Sequence, residues 1–170
     1  MSPVKEPNYF SFADGPPDFR GPHDAKSKEK EIVSNREDYE ALFTGAGEEQ
    51  ARGECSTSYL YFPHAAEAIK ELIPDCRIIM MLRDPAERAW SHYKQASAMG
   101  HEDLSFEEAL SEEDERLAAN WRWDYQYRKQ GLYCDRVKHF MDLFGADNVS
   151  VNMFDDYKIN RDELMSGLYS

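Results

Sequence analysis

The segment Arg83-Asp-Pro-Ala-Glu-Arg-Ala-Trp-Ser91 combines an arginine, a helix-start signal and a hydroxyl at fixed spacing. The run Arg77-Ile-Ile-Met-Met-Leu-Arg83 is apolar without alternation, which predicts a buried parallel strand. Asp84 then supplies a cap and Pro85 a first helical residue, so a helix begins where the strand ends. An arginine leaving a strand and a hydroxyl two turns into the next helix can grip one phosphate. The guanidinium does so through a charge-assisted fork, the hydroxyl through a hydrogen bond. The same spacing fits a plainer arrangement, in which Arg83 pairs with Asp84 or Glu87 and Ser91 is an ordinary helical residue. Spacing alone favours the plainer one.

The elements that must position these residues follow from local signals. From Asn35 the pattern Tyr39, Leu42, Phe43 predicts a short amphipathic helix that ends near Gly45-Ala-Gly47. Ser58 to Phe62 reads as extended or as the start of a turn. Pro63 opens a helix to about Leu72. The helix after Asp84 should run to about Met99 and stop at Gly100. Ser105-Phe-Glu-Glu-Ala-Leu110 has the spacing of a capping box. Leu132 to Phe144 is amphipathic between Gly131 and Gly145, Val149 to Phe154 alternates like a strand, and Asp162 to Leu168 reads as a helix. Ala13 to Lys30, rich in Pro, Gly, Asp and Lys, reads as a long surface loop. The fold class expected is α/β, one domain over residues 1–170 with a parallel sheet flanked by helices. Ligands of such sheets sit at the carboxyl ends of strands, which directs attention to Arg83 through Ser91.

Composition bounds the function. The chain has 170 residues, 41% of them apolar, with 20 basic against 33 acidic residues and a net charge of −13. So acidic a surface argues against non-specific nucleic-acid binding, while leaving room for a local basic pocket. No apolar run is long enough for a membrane span, and no signal peptide is visible after Met1, so a cytoplasmic setting is expected. Cys55, Cys76 and Cys134 form neither a CxxC pair nor a disulfide framework. Cys55 reads as a packed small residue, with no histidine beside it in sequence. His64, His92, His101 and His139 show no metal-ligand spacing, so no metal is expected. Trp121, Trp123, Tyr125 and Tyr127 read as core, with a lining for an acceptor cleft as the other reading. The acidic run Glu107-Glu108 and Glu112-Glu113-Asp114-Glu115 reads as a solvated helix face.

Five ordered segments carry a resemblance. Arg83 to Tyr93 resembles the 3′-phosphate-binding segment of sulfotransferases that use 3′-phosphoadenosine 5′-phosphosulfate (PAPS). Lys5-Glu-Pro-Asn-Tyr-Phe10 resembles that family's Lys-Glu-Pro-His-Phe-Phe strand, and Gly53-Glu-Cys-Ser-Thr-Ser-Tyr-Leu60 its Gly-Glu-Lys-Ser/Thr-Pro-x-Tyr segment. Ser105 to Leu110 and Tyr127-Arg-Lys-Gln-Gly-Leu-Tyr133 fall in the family's order, and Phe140 to Phe154 continues like its helix and Val-x-Val strand. Coverage runs from Lys5 to about Tyr157. The bacterial and heparan-sulfate branches are the most similar.

The resemblance implies a P-loop-kinase-like architecture and transfer of a sulfuryl group from PAPS to an acceptor hydroxyl or amine. The acceptor would be a glycan, a lipid or a small molecule. Arg83 and Ser91 would hold the 3′-phosphate, with Tyr133 and Arg128 near the nucleotide. Glu6 would take the acceptor's proton, and Lys5 would position the acceptor or offset developing charge. Glu6 beside Lys5 also fits a surface ion pair. Where the glycan enzymes carry His, an acidic residue and Lys, this sequence has Asn8, Ser11 and Cys55, which argues against a heparan-type acceptor. The family's Lys-x-Gly-Thr-Thr phosphosulfate loop precedes the Lys-Glu-Pro segment, and a late Gly/Lys-rich loop follows the region matched here. Neither is found, so a domain truncated at both ends is expected. The alternative is a catalytically inactive relative that binds a nucleotide or a protein. A nucleotide kinase would need a Walker loop, and none is visible.

Overall fold

The computed structural model describes residues 2–22, 32–47 and 51–168. The expected strand forms as β1 (Ile78–Leu82), and Val149–Met153 forms β2. The two pair in parallel, Ile78 opposite Val149 and Leu82 opposite Met153. The helices are α1 (Arg36–Ala41), α2 (Ser58–Tyr61), α3 (His64–Leu72), α4 (Pro85–Ala98), α5 (Phe106–Ser111), α6 (Glu113–Ala118), α7 (Cys134–Phe144), α8 (Phe154–Ile159) and α9 (Arg161–Leu168). A parallel pair needs a crossover, and α4 to α7 supply it. The expected α/β architecture, a parallel sheet with helices beside it, is what forms.

The helix starts follow their capping chemistry. The Asn35 side chain accepts from the Asp38 N–H at 2.8 Å, and Asp84 Oδ1 from the Glu87 N–H at 2.9 Å. Ser105 and Glu108 form the reciprocal capping box. Beyond α4, Gly100 takes φ +71°, a left-handed conformation that glycine adopts without strain.

The main core lies on one face of the sheet. Met80, Leu82 and Val149 pack there against Ala65, Ala66 and Ile69 of α3, Phe140 and Phe144 of α7, and Tyr9, Phe10 and Tyr39. The other face is open, with Ile79 56% and Met81 42% exposed.

Four expectations are corrected. Ser58–Tyr61 is a helix, because Thr57 and Ser58 already hold αR-like geometry against the buried Asn8. Lys5–Phe10 is not a strand. Glu6 and Asn8, on either side of Pro7, both have φ +56°, which turns the chain into a 3₁₀ turn at Tyr9–Ser11. The acidic run is solvated except at Glu113, which is fully buried because the Arg128 N–H donates to its carboxylate. Cys55 is exposed rather than packed.

The described part of the predicted loop, 13–22, has no regular structure, and 23–30 lie outside the described residues. Phe12 and Phe19 lie against Trp123, and the Arg20 N–H donates to the Asn120 carbonyl at 3.0 Å. The loop is therefore clamped to the aromatic segment. Trp123, Tyr125 and Tyr127 are buried, in line with their reading as core.

Candidate active site

The corner between β1 and α4 sets the first group of side chains. Arg83 leaves the strand and lies back along α4. Its Nε and one terminal nitrogen reach Glu87 Oε2 at 3.2 and 3.1 Å, and the guanidinium sits over the Phe154 ring at 5.7 Å. The plainer pairing expected from spacing is thus formed. It is an exposed i,i+4 pair, with Arg83 31% and Glu87 54% exposed, and such pairs contribute at most about 1 kcal/mol. Ser91 is half-buried one further turn along. Glu87 and Ser91 lie one turn apart on α4, while Arg83 precedes the helix and reaches Glu87 from the strand end.

Tyr133 joins this corner from a distant part of the sequence. The Arg83 backbone lies close to its hydroxyl. Burial raises its pKa, while Arg88, the Arg83 backbone and Arg136 act in the opposite sense. The contact depends on Gly131. A Cβ there would lie 2.9 Å from the Pro85 Cβ, closer than real Cβ atoms approach. The 3₁₀ turn Lys129–Gly131 can lie flat on the start of α4 only without that side chain. Gly131→Ala should therefore lower stability by roughly 1–3 kcal/mol, the usual cost of overpacking. Urea unfolding with an unchanged m-value is the check.

Arg128 stands apart from this cluster. Its side chain is 61% exposed and its Nε lies 3.5 Å from the buried Glu113.

Arg88 and Arg136 were not singled out by sequence. Arg88 donates to the Tyr127 carbonyl and lies 3.4 Å from His92 Nδ1. Burial, and then Arg88, push the His92 pKa down from 6.5 to about 4, so His92 stays neutral and accepts this contact. The linkage follows. Between pH 6.5 and about pH 4 the unfolded state binds a proton that the folded state does not. His92 therefore destabilises the fold as pH falls through that window, by about 3 kcal/mol in total. Above pH 6.5 the penalty is absent. Unfolding measured from about pH 7 to about pH 4.5 should show this slope, and His92→Gln should flatten it.

The second group of side chains gathers at the start of α2. Glu6 Oε2 accepts from the Thr57 hydroxyl at 3.3 Å. The Asn8 N–H donates to Ser56 Oγ at 3.0 Å, its amide nitrogen to the Glu6 carbonyl at 2.6 Å, and its Oδ1 accepts from Ser58 at 2.6 Å. This network holds the two left-handed residues in place and aims Glu6 at Thr57. Glu54 completes it. Tyr59 and Ser56 donate to Glu54, yet burial dominates and raises its pKa. Lys5 is exposed. The Gly53–Leu60 segment was singled out by sequence, but Glu54 itself was assigned no role there. Among the described residues no group of three or more His, Cys, Asp or Glu is placed to hold a metal, and no helix is long and apolar enough to cross a membrane.

The two groups are linked through α2 and α7. Tyr61, the last residue of α2, lies under the Arg136 guanidinium at 4.8 Å, and Arg136 in turn acts on Tyr133.

Comparison with known proteins gives the family and the fold. A sequence description of the sulfotransferase family matches residues 10–150. The crystal structure of a sulfotransferase from Alicyclobacillus acidocaldarius superimposes with a TM-score of 0.90 at 35% identity. The match covers 96% of this chain and 66% of that one. No curated protein matches. The chain belongs to the sulfotransferase family.

Proposed function

We propose that the chain carries the 3′-phosphate-binding and proton-accepting parts of a sulfotransferase that uses PAPS as donor. The observation that supports this best is the exposed Arg83–Glu87 pair at the β1–α4 corner, with Tyr133 beside it through the Gly131–Pro85 contact and Ser91 further along α4. Strand end and helix start present one weakly held guanidinium, a hydroxyl and a tyrosine on the same corner.

In this reading Arg83 exchanges Glu87 for the 3′-phosphate and Ser91 adds a hydrogen bond. Tyr133 borders the nucleotide and Arg128 stands at its rim. Glu6 takes the proton as the acceptor oxygen or nitrogen forms its bond to sulfur and the bond from sulfur to the 5′-phosphate oxygen breaks. Adenosine 3′,5′-bisphosphate leaves. Lys5 offsets charge on the acceptor side. Catalysis is then mostly positioning and electrostatics, as in phosphoryl transfer. Asn8, Ser11 and Cys55 give the acceptor side fewer charges than the heparan-type pattern, and a net charge of −13 repels a polyanion. A small or neutral acceptor fits better.

The test is release of adenosine 3′,5′-bisphosphate from PAPS in the presence of panels of alcohols, amines and glycans. Acceptor-dependent release supports the reading. Binding of the bisphosphate with no release against any acceptor class replaces it with the non-catalytic binding module.

A further inference from the structure

We propose that Arg136, with Arg88 nearby, forms an oxyanion-binding site for a sulfate- or phosphate-type group, beside Tyr61 and Tyr133. The inference deepens the proposed function and rests on it only for the ligand's identity.

The first argument is electrostatic. The chain holds 33 carboxylates for 20 lysines and arginines, so cations here rarely lack a partner. Yet neither Arg88 nor Arg136 takes part in any ion pair among the described residues. Both are half-buried. Half-buried guanidiniums ordinarily take a carboxylate, because desolvation of the charge is otherwise unrepaid.

The second argument is unused hydrogen-bonding capacity. Arg136 has a single long hydrogen bond, 3.5 Å to the Gln130 carbonyl, and otherwise lies over Tyr61. Arg88 Nε is buried with no partner. A guanidinium has five donors, and these two leave several unsatisfied. Burial and the mutual repulsion of the pair lower the pKa of Arg88, and burial lowers that of Arg136.

The third argument is position. Arg136 spans from Tyr61, at the end of the helix whose start holds Glu6, to Tyr133, which touches the Arg83 backbone. A tetrahedral oxyanion is the group whose shape and charge suit the largely unused fork of Arg136, with the Arg88 charge nearby adding to the attraction. It would come from the donor or from an acidic group on the acceptor.

The test is titration of inorganic sulfate at constant ionic strength, read at the arginine Nε–Hε resonances. Saturable shifts at Arg136 and Arg88, with an affinity that falls about tenfold or more in Arg136→Gln, are expected. Arg136→Lys should fall between, because it keeps the charge and loses the fork, and it serves if Arg136→Gln fails to fold. A linear, unsaturable shift, or an unchanged affinity in the folded variant, overturns the proposal. A second titration with adenosine 3′,5′-bisphosphate identifies the source. Displacement of sulfate assigns the site to a donor phosphate, and simultaneous binding assigns it to the transferred sulfuryl group or to an acidic acceptor. Saturable sulfate binding by a wild-type chain that does not bind the bisphosphate sustains this site and removes the proposed function instead.

Discussion

Arg116→Leu is expected to destabilise the fold by about 3–5 kcal/mol, the usual cost of leaving one half of a buried ion pair behind. Arg116 and Glu102 are 4% and 2% exposed and meet in a two-point fork of 2.6 and 2.9 Å. The Tyr127 hydroxyl donates to the same carboxylate at 2.9 Å, and the Leu104 N–H at 3.2 Å. Burial acts to raise the Glu102 pKa, and these donors together outweigh it and hold the carboxyl below its usual range. The guanidinium is sandwiched near Trp121 and Tyr125 at 4.9 and 5.5 Å. This knot fastens the segment before α5 and helix α6 to the aromatic stretch that leads into Gly131 and Tyr133. Without Arg116 the Glu102 charge stays buried among apolar rings. For a chain of this size the loss corresponds to a melting temperature lower by roughly 10 °C. The double variant Glu102→Leu/Arg116→Leu should recover much of the loss, because no uncompensated charge remains. Thermal unfolding of the wild type, the two single variants and the double variant decides this. Single variants that cost less than about 1 kcal/mol would show that the pair is not the anchor described.

Glu6→Gln is expected to reduce turnover by about 10²–10⁴-fold, the range for loss of a general base, while affinity for adenosine 3′,5′-bisphosphate is unchanged. The separation follows from geometry. Glu6 is held by Thr57 and by the Asn8 network, whereas the nucleotide corner is built by Arg83, Ser91, Tyr133 and Pro85. The amide keeps Glu6's shape and its contact with Thr57 but no longer accepts a proton. The left-handed backbone at Glu6 and Asn8 costs energy that the Ser56 and Ser58 hydrogen bonds offset. Pairing such strain with a candidate base is a pattern of functional sites. Steady-state release of the bisphosphate from PAPS, beside calorimetry on the same variant, measures both quantities. Equal loss of turnover and of nucleotide affinity would mean that Glu6 acts on the fold and not on the proton.

The parts of this structure legible in the sequence are those written in adjacent residues. Asp84-Pro85 marks a helix start because cap and first turn lie side by side, and Ser105 with Glu108 does the same. The apolar run before Arg83 marks a strand, but its continuous hydrophobicity does not reveal that one face, with Ile79 and Met81, is left open rather than buried. What escaped depends on residues far apart in sequence. The Gly131–Pro85 contact places Tyr133 at the corner, yet nothing near Gly131 announces it. Glu113 looks solvated beside its acidic neighbours and is buried by a backbone donor fifteen residues on. Glu102 and Arg116 meet across fourteen residues. Lys5–Phe10 misled because residues typical of a strand end are turned by two left-handed backbones around a proline. In the candidate site Arg83 was legible, including its competing partner Glu87. Arg88 and Arg136 were not, since what distinguishes them is the carboxylate each lacks.

Calorimetry with adenosine 3′,5′-bisphosphate is the direct test of the 3′-phosphate site proposed for Arg83 and Ser91. Weak but saturable binding to the wild type is expected. Arg83→Ala should weaken it by about 10–100-fold, the value of a charge-assisted fork, and Ser91→Ala by about tenfold. Both variants should unfold at close to the wild-type temperature, because the Arg83–Glu87 pair is exposed and contributes little. A folded wild-type chain that does not bind the bisphosphate, or one whose binding ignores both substitutions, would contradict the account.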